Sequence, residues 1–283
     1  MFDPRRPHSS VHAVRRRSRG MPRPTVGSIS LQRRHALNRY QRIVLPSVRS
    51  LDQRWYPQFE PNWDNRLFRE MLLRRIDAGK SVLDYGCGRG HVEHMNFRGI
   101  ARFVAGTDPE EAVFENPYLD EARVLKLPEA VIPYDNESFD VVFADNVMEH
   151  VADPLTTFRE VWRVLKPGGV FLAKTPNKWH YMPLIARCTP TWFHKAVNRR
   201  RGRQEHDTFP TCYRCNSAGD VARLSRAADF EVRSIVRVEG RPEYLRFNAA
   251  TYACGRLYER LVNASDALER FRCVLMFEVA KPS

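Results

Sequence analysis

Three glycines stand at short intervals directly after an apolar segment of the chain. The run VLDYGCGRG, residues 82–90, contains Asp84 followed by Gly86, Gly88 and Gly90. Glycine lets a chain turn sharply after a strand and brings backbone N–H groups close to a ligand, because no Cβ stands in the way. A dinucleotide-binding G-x-G-x-x-G turn needs its third glycine at position 91, which is His91. The spacing therefore indicates a cofactor loop of a different pattern.

A second acid, Asp108, follows the next apolar segment, 22 residues after Gly86. A carboxylate at this position can accept hydrogen bonds from both hydroxyls of a ribose. Taken alone, Asp108 is equally typical of a helix N-cap. Together with the glycine turn it predicts a cofactor that contains a nucleoside, either S-adenosylmethionine or a nicotinamide dinucleotide.

Apolar segments of β type alternate with helical patterns from Lys80 onward, which is the rhythm of βαβ units around a parallel sheet. The sequence predicts strands at 81–85, 102–107, 122–127, 139–144, 169–175, 230–239 and 273–280. We expect the last two to pair in antiparallel fashion. A helix is predicted to start at Asp153 and Pro154, an N-cap followed by an N1 proline, and to end at Gly168 and Gly169. Further helices are predicted at 218–228 and within 252–270.

The polar, aromatic and basic stretch at 176–216 is too long for an ordinary connection. We interpret it as a substrate lid. The lid offers further polar candidates, His194, His206 and Tyr213, and its arginines at 199–203 could engage an acidic substrate. An exposed, solvated loop is the simpler reading of that basic run.

The positive charge of the chain is concentrated at its start. Residues 1–50 contain twelve arginines against one acid, Asp3, whereas the rest of the chain is nearly neutral. Residues 1–28 have few large apolar side chains, so a disordered basic arm is predicted. It could bind nucleic acid or an acidic membrane, direct the chain to an organelle, or have no function. Nucleic acid is thus a conceivable partner through the arm, but a small-molecule substrate is favoured.

The six cysteines are scattered through a chain that is long enough to fold without disulfides, which suits a reducing compartment. Only Cys212 and Cys215 have the spacing of a metal or redox pair, and no second ligand pair stands at a matching interval. We therefore expect no metal. No apolar run approaches the roughly 18 residues that cross a bilayer, and we expect a cytoplasmic protein.

Five sequence elements in order resemble the class I S-adenosylmethionine-dependent methyltransferases. They are the glycine turn, Asp108 after the second strand, PYDNESFDVV, NVMEHV and VLKPGGVFLAKTPN, all between residues 82 and 177. The resemblance implies an α/β fold, a doubly wound, Rossmann-like sheet of seven strands with helices on both faces, an antiparallel final strand and the lid after strand five. The expected division is the arm at 1–28, a helical segment that packs on the core at 29–79, and the methyltransferase domain at 80–283.

The same resemblance implies S-adenosylmethionine as the cofactor and a set of residues that hold it. The backbone from Tyr85 to Gly88 would hold the methionine part and Asp108 the ribose, and Ala144 and Asp145 would face the amino-acid moiety. The cofactor-binding set is Asp84, Tyr85, Gly86, Cys87, Gly88, Asp108, Pro109, Ala144 and Asp145. Members of the family often carry an adenine-binding acid where this chain has Pro128, and the adjacent Glu129 is an uncertain substitute.

The reaction expected is methyl transfer to a small molecule, with oxygen as the favoured acceptor atom. A hydroxyl acceptor benefits from a general base, and the resemblance places His150, in NVMEHV, and His180, after strand five, near the transfer site. His150 is favoured because its motif adjoins Asp145; its alternative role is to brace a helix start. Methylation of RNA or protein guided by the arm, and a non-catalytic binding domain with this fold, are the competing functions.

Overall fold

The computed structural model describes residues 46–128, 130–188 and 210–283 of the 283-residue chain. The α-helices are α1 (Pro46–Trp55), α2 (Trp63–Leu73), α3 (Pro154–Val164), α4 (Tyr181–Cys188), α5 (Ala218–Ala227) and α6 (Ala249–Ala264). The strands are β1 (Ser81–Tyr85), β2 (Phe103–Asp108), β3 (Glu121–Val124), β4 (Phe139–Asp145), β5 (Leu165–Pro176), β6 (Glu231–Val238) and β7 (Val274–Ala280). Short 3-10 segments lie at Glu93–Met95, Glu111–Glu115, Glu243–Leu245 and Asp266–Phe271.

The seven strands form one sheet in the order β3-β2-β1-β4-β5-β7-β6. Neighbouring strands from β3 to β5 are parallel, and β7 runs antiparallel to both β5 and β6. The strand order reverses between β1 and β4, which is where open α/β sheets bind their ligands. The predicted doubly wound sheet and its antiparallel final strand are confirmed.

Two apolar clusters cover the two faces of this sheet, because side chains alternate along each strand. Leu83 of β1 belongs to the cluster that also contains Phe158 of α3 and Leu224 of α5. Its neighbour Val82 belongs to the other cluster, together with Phe68 of α2. Helices therefore lie on both faces, as predicted.

Helix α3 begins as the sequence predicts but ends earlier. The Asp153 side chain accepts hydrogen bonds from the backbone N–H groups of Leu155 and Thr156, and Pro154 occupies the first turn. The helix was predicted to run to Gly168 and Gly169, yet it stops at Val164 and the chain becomes extended at Leu165. The reason is that Leu165 is fully buried and pairs with Phe139, so the two glycines lie inside strand β5 instead.

Strand β3 is shorter than predicted, ending at Val124 rather than at residue 127. It lies at the edge of the sheet with β2 as its one neighbour, and its last pair joins Val124 to Asp108, where β2 itself ends.

The predicted arm at 1–28, Glu129 and lid residues 189–209 with His194 and His206 lie outside the described residues. In the part of the chain that the structure describes, no helix has the length and apolar character to cross a membrane.

Candidate active site

The glycine turn after β1 has the backbone conformation that its sequence demands. Gly86, Gly88 and Gly90 have φ angles of 76°, 48° and 74°, a region that residues with a Cβ rarely adopt. A Cβ on Gly86 would lie 2.4 Å from Cγ2 of Val147. A Cβ on Gly88 would have no described heavy atom within 4 Å. Gly86 is thus required by packing, whereas Gly88 leaves its backbone open on the side where a ligand can approach.

Asn116, which the sequence analysis missed, holds this turn in place. Its side-chain amide donates to the carbonyl oxygens of Cys87 and Gly88, each at 3.2 Å. A Cβ on Gly90 would lie 2.4 Å from the Asn116 side-chain oxygen, so this glycine also permits the contact. Asn116 belongs to none of the five motifs, and its role depends on the fold that brings it under the turn.

Asp108 ends β2 with both carboxylate oxygens pointing at backbone donors. Its Oδ2 accepts from the N–H of Gly88 at 2.9 Å, and its Oδ1 accepts from the N–H of Glu110 at 2.9 Å. Each oxygen has a further lone pair, so the carboxylate can still accept from two hydroxyls. The hydrogen bond from Gly88 to Asp108 therefore connects the glycine turn with the predicted ribose-binding acid, and it orients the turn.

Three carboxylates face one another at the carboxyl ends of β1, β2 and β4. Burial, together with the negative charges of Asp145 and Asp108, holds the pKa of Asp84 well above its usual range. Burial also raises the pKa of Asp145, against the opposing effect of Lys174. Carboxylates that are buried and close together favour a positively charged ligand between them. The sulfonium and the α-ammonium group of S-adenosylmethionine are two such charges.

Lys174 is a fully buried cation beside these carboxylates. The sequence motifs did not predict a role for it. Its Nζ lies 2.9 Å from Oδ1 of Asp145 and 2.9 Å from Oδ2 of Asp64 on α2. Asn65 contacts the same Nζ. Lys174 therefore links β5, the end of β4 and helix α2 around one buried charge. A lysine inside an otherwise apolar strand is the sequence signal that could have revealed it.

His150 lies in the turn after β4, with a hydrogen bond at one ring nitrogen and a carboxylate near the other. Its Nδ1 is 3.1 Å from the carbonyl oxygen of Pro210, and its Nε2 is 3.9 Å from Oε1 of Glu149. Glu149 is buried, which raises its pKa, and its Oε2 accepts from the Thr175 hydroxyl at 2.9 Å. The hydroxyl in turn accepts from the Asn216 amide at 2.7 Å. Buried hydrogen bonds thus orient Glu149, and the His150 side chain remains about one-third exposed.

His180 lies in a different group, beyond the end of β5. It is 2 % exposed, and its Nε2 is 3.6 Å from Oε2 of Glu239. Burial lowers the pKa of His180 to about 3 and raises the pKa of Glu239 to about 8. The two predicted bases therefore differ in access, because the His150 imidazole reaches solvent and the His180 imidazole does not.

Three of the other predicted cofactor residues have largely buried side chains. The Tyr85 ring packs in the apolar core, and Ala144 is fully buried. Cys87 is largely buried, which raises the pKa of its thiol. Pro109 is exposed directly after Asp108.

Comparison with known proteins identifies the family. A methyltransferase-domain family matches residues 62–235. A Pseudomonas putida protein named ubiquinone biosynthesis O-methyltransferase is 32 % identical over 207 residues, which cover 68 % of this chain and 84 % of that protein. A Mycolicibacterium smegmatis protein, named a probable S-adenosylmethionine-dependent methyltransferase, is 39 % identical over 45 % of this chain. This chain spans about half, 51 %, of that relative's length.

A solved chain from the complex between the Haloferax volcanii Trm112 methyltransferase activator and a methyltransferase has the same fold. Its TM-score is 0.51 at 19 % identity, over 78 % of this chain and 92 % of that one. The chain belongs to the methyltransferase-domain family, with the class I fold. It is an S-adenosylmethionine-dependent methyltransferase, and the glycine turn and acidic edge described above fit that cofactor.

Proposed function

We propose that this enzyme transfers the methyl group of S-adenosylmethionine to a hydroxyl oxygen of a small molecule. The observation that carries the proposal is the fixed, partly exposed imidazole of His150 beside the acidic edge of the sheet. Relatives named as O-methyltransferases of ubiquinone biosynthesis, aligned over most of their length, support oxygen as the acceptor atom.

The cofactor is held at the carboxyl ends of β1, β2 and β4. The backbone from Tyr85 to Gly88 takes the methionine part, with Asp84 behind it, and Asp108 with Pro109 takes the ribose. Asp145, with Ala144, would hold the amino-acid moiety, and Lys174, whose Nζ lies 2.9 Å from Oδ1 of Asp145, orients that carboxylate. When bound, the sulfonium supplies an activated methyl group, so the protein mainly aligns the acceptor behind the methyl carbon.

His150 removes the hydroxyl proton during the transfer. A carbonyl oxygen can only accept a hydrogen bond, so the Pro210 contact places the imidazole proton on Nδ1 and leaves the lone pair on Nε2. The lone pair of Nε2 takes the proton of the acceptor hydroxyl, so that this oxygen could accept the methyl group that bound S-adenosylmethionine would supply. The Glu149 carboxylate, 3.9 Å from Nε2, stabilises the imidazolium that forms.

The lid and the N-terminal helical segment each contribute to this reaction centre. Residues 176–216 form the proposed lid, and its described end contacts the base through the carbonyl of Pro210. The segment at 29–79 contributes α2, whose Asp64 reaches Lys174 beneath the cofactor edge. The basic arm at 1–28 takes no part in the transfer.

A panel of methyl acceptors, each tested in its own reaction, tests the proposal. The purified enzyme is incubated with S-adenosylmethionine and, in separate reactions, a panel of phenols and catechols, aromatic amines, aromatic carboxylic acids and an RNA oligonucleotide. We expect methyl ethers of phenols or catechols, detected by mass spectrometry, and at least a tenfold lower yield with Asp108→Ala. Transfer confined to amines, carboxylates, RNA or the protein itself would contradict the hydroxyl assignment.

A further inference from the structure

Three residues from distant parts of the chain meet where β5, β6 and β7 come together. His180 follows the end of β5, Glu239 follows the end of β6, and Cys273 precedes the start of β7. Because β7 is antiparallel to both neighbours, Val274 pairs with Pro176 on one side and with Val238 on the other. The topology therefore brings an imidazole, a carboxylate and a thiol to one point at the sheet edge.

The ligand atoms of these residues are close enough to share one ion. One ring nitrogen of His180, a carboxylate oxygen of Glu239 and Sγ of Cys273 all lie within 4.8 Å of one another. The side chains of His180 and Glu239 are only 2 % and 4 % exposed. Nitrogen, oxygen and thiolate sulfur are the ligands that Zn²⁺ takes in proteins, commonly three from the chain and a fourth position left for water or another ligand.

One buried ring nitrogen of this cluster lacks the hydrogen-bond partner that a protein interior normally provides. Nε2 of His180 has no hydrogen-bond partner among the described residues, and neither has the buried hydroxyl of the adjacent Tyr181. Leaving one such group unsatisfied costs about 1–3 kcal/mol. A metal ion bound at Nε2 removes that cost for His180 and places a positive charge beside the Glu239 carboxylate, whose Oε2 already accepts from the Cys273 N–H at 2.9 Å.

We propose that His180, Glu239 and Cys273 bind a divalent zinc ion. Binding releases the Cys273 thiol proton to solvent. It also places the imidazole proton on Nδ1, which now accepts weakly from the Met182 N–H at 3.4 Å, so the first turn of α4 shifts when the ion binds. The site is separate from the acidic cofactor edge, and the proposal does not depend on the acceptor of the methyl group.

This proposal departs from the expectation from sequence that the chain holds no metal. The pair that carried the metal spacing, Cys212 and Cys215, is split between an exposed thiol and one fully buried in the apolar core. The three proposed ligands are dozens of residues apart and belong to no spacing motif, so the sheet topology alone reveals them.

Cobalt substitution tests the proposal in the full chain under reducing conditions. The protein is stripped with a chelator and titrated with Co²⁺, whose thiolate charge-transfer absorption reports a sulfur ligand. We expect one cobalt ion per chain with that absorption, at least tenfold weaker binding in Cys273→Ser and Glu239→Gln, and no change in Cys254→Ser, a matched control because Cys254 is exposed on α6. Circular dichroism confirms that each variant is folded.

X-ray absorption of the zinc-loaded wild-type protein gives a result that does not depend on the folding of any variant. One sulfur and two or three lighter ligands around the ion support the site. A shell without sulfur, a wild-type protein that binds no cobalt, or undiminished charge-transfer absorption in Cys273→Ser would overturn it.

Discussion

The two halves of the functional edge of the sheet are built in different ways. On the β1, β2 and β4 side, each important acid is the last or nearly the last residue of a strand, as with Asp108 and Asp145. On the β5, β6 and β7 side, His180, Glu239 and Cys273 come from three connections and meet because β7 is antiparallel. The first half depends on short local motifs and the second on topology.

The electrostatic character of the two halves also differs. The first crowds the carboxylates of Asp84, Asp108 and Asp145 and suits a cationic ligand. The second combines a buried imidazole, a carboxylate and a thiol with unsatisfied polar atoms. Short local motifs therefore build the cofactor side of the edge, whereas long-range packing assembles the cluster of His180, Glu239 and Cys273. The predictions below probe this contrast.

The largest effect is expected from Lys174→Met. The substitution leaves the largely buried carboxylate of Asp145 and the partly exposed one of Asp64 without their cation, which costs about 3–5 kcal/mol in the free energy of unfolding. Lys166→Met is the matched control, because Lys166 pairs with Asp140 at 2.8 Å but is one-third exposed, and it should cost at most about 1 kcal/mol. Urea denaturation of both variants measures the difference. Equal losses would show that Lys174 does not hold the cofactor side together.

Gly86→Ala should destabilise the protein by about 2–4 kcal/mol. Its Cβ would overlap Val147 at 2.4 Å in a backbone conformation unfavourable to alanine. Gly88→Ala meets no clash and should cost about 1–2 kcal/mol from its φ angle alone, while its Cβ hinders the approach of the cofactor. Denaturation and cofactor titration separate the two effects. A larger stability loss for Gly88→Ala would contradict the packing of the turn.

His150→Ala should lower turnover at least tenfold, about 1.4 kcal/mol of barrier, with cofactor affinity nearly unchanged. The reason is that the imidazole accepts the proton and makes no contact with the cofactor in the proposed arrangement. Steady-state kinetics and calorimetry on the same variant measure the two quantities. Lost cofactor binding would make His150 structural, and full turnover would point to an acceptor that needs no base.

Asp84→Asn should stabilise the protein without cofactor, by about 2–4 °C in melting temperature at pH 8. Burial raises the folded-state pKa of Asp84 above the unfolded value near 4, so the wild-type protein loses stability as the pH rises between those two values. The gain of the variant should therefore shrink as the pH falls toward 4. Thermal melts across this pH range test it. A gain independent of pH would place the cause outside this carboxylate.

The strands and the cofactor residues could be predicted from sequence because their signals are local. Ser81–Tyr85 is predicted to the residue, since a short, fully buried apolar run is bounded by Lys80 and Gly86. Asp108 stands out because it ends such a run at the spacing of a ribose-binding acid. The turn at Gly86 is likewise predicted from its glycines alone.

Contacts between distant residues could not be predicted in the same way. Asn116 under the glycine turn, the Lys174–Asp64 pair and the His180–Glu239–Cys273 cluster each join segments far apart in the chain. The end of α3 was misplaced because tertiary pairing of Leu165 with Phe139 overrides the glycine signal. In each case the deciding interaction exists only once the sheet has formed.

Calorimetric titration of the cofactor tests directly whether the acidic edge binds S-adenosylmethionine through Asp108. Wild-type protein should bind one cofactor per chain. Asp108→Ala should bind at least tenfold more weakly while remaining folded, because it loses the ribose contacts and the bond that orients Gly88. Asp229→Ala, at a loop before β6, should bind like the wild type. Unchanged affinity in a folded Asp108→Ala variant would contradict the account.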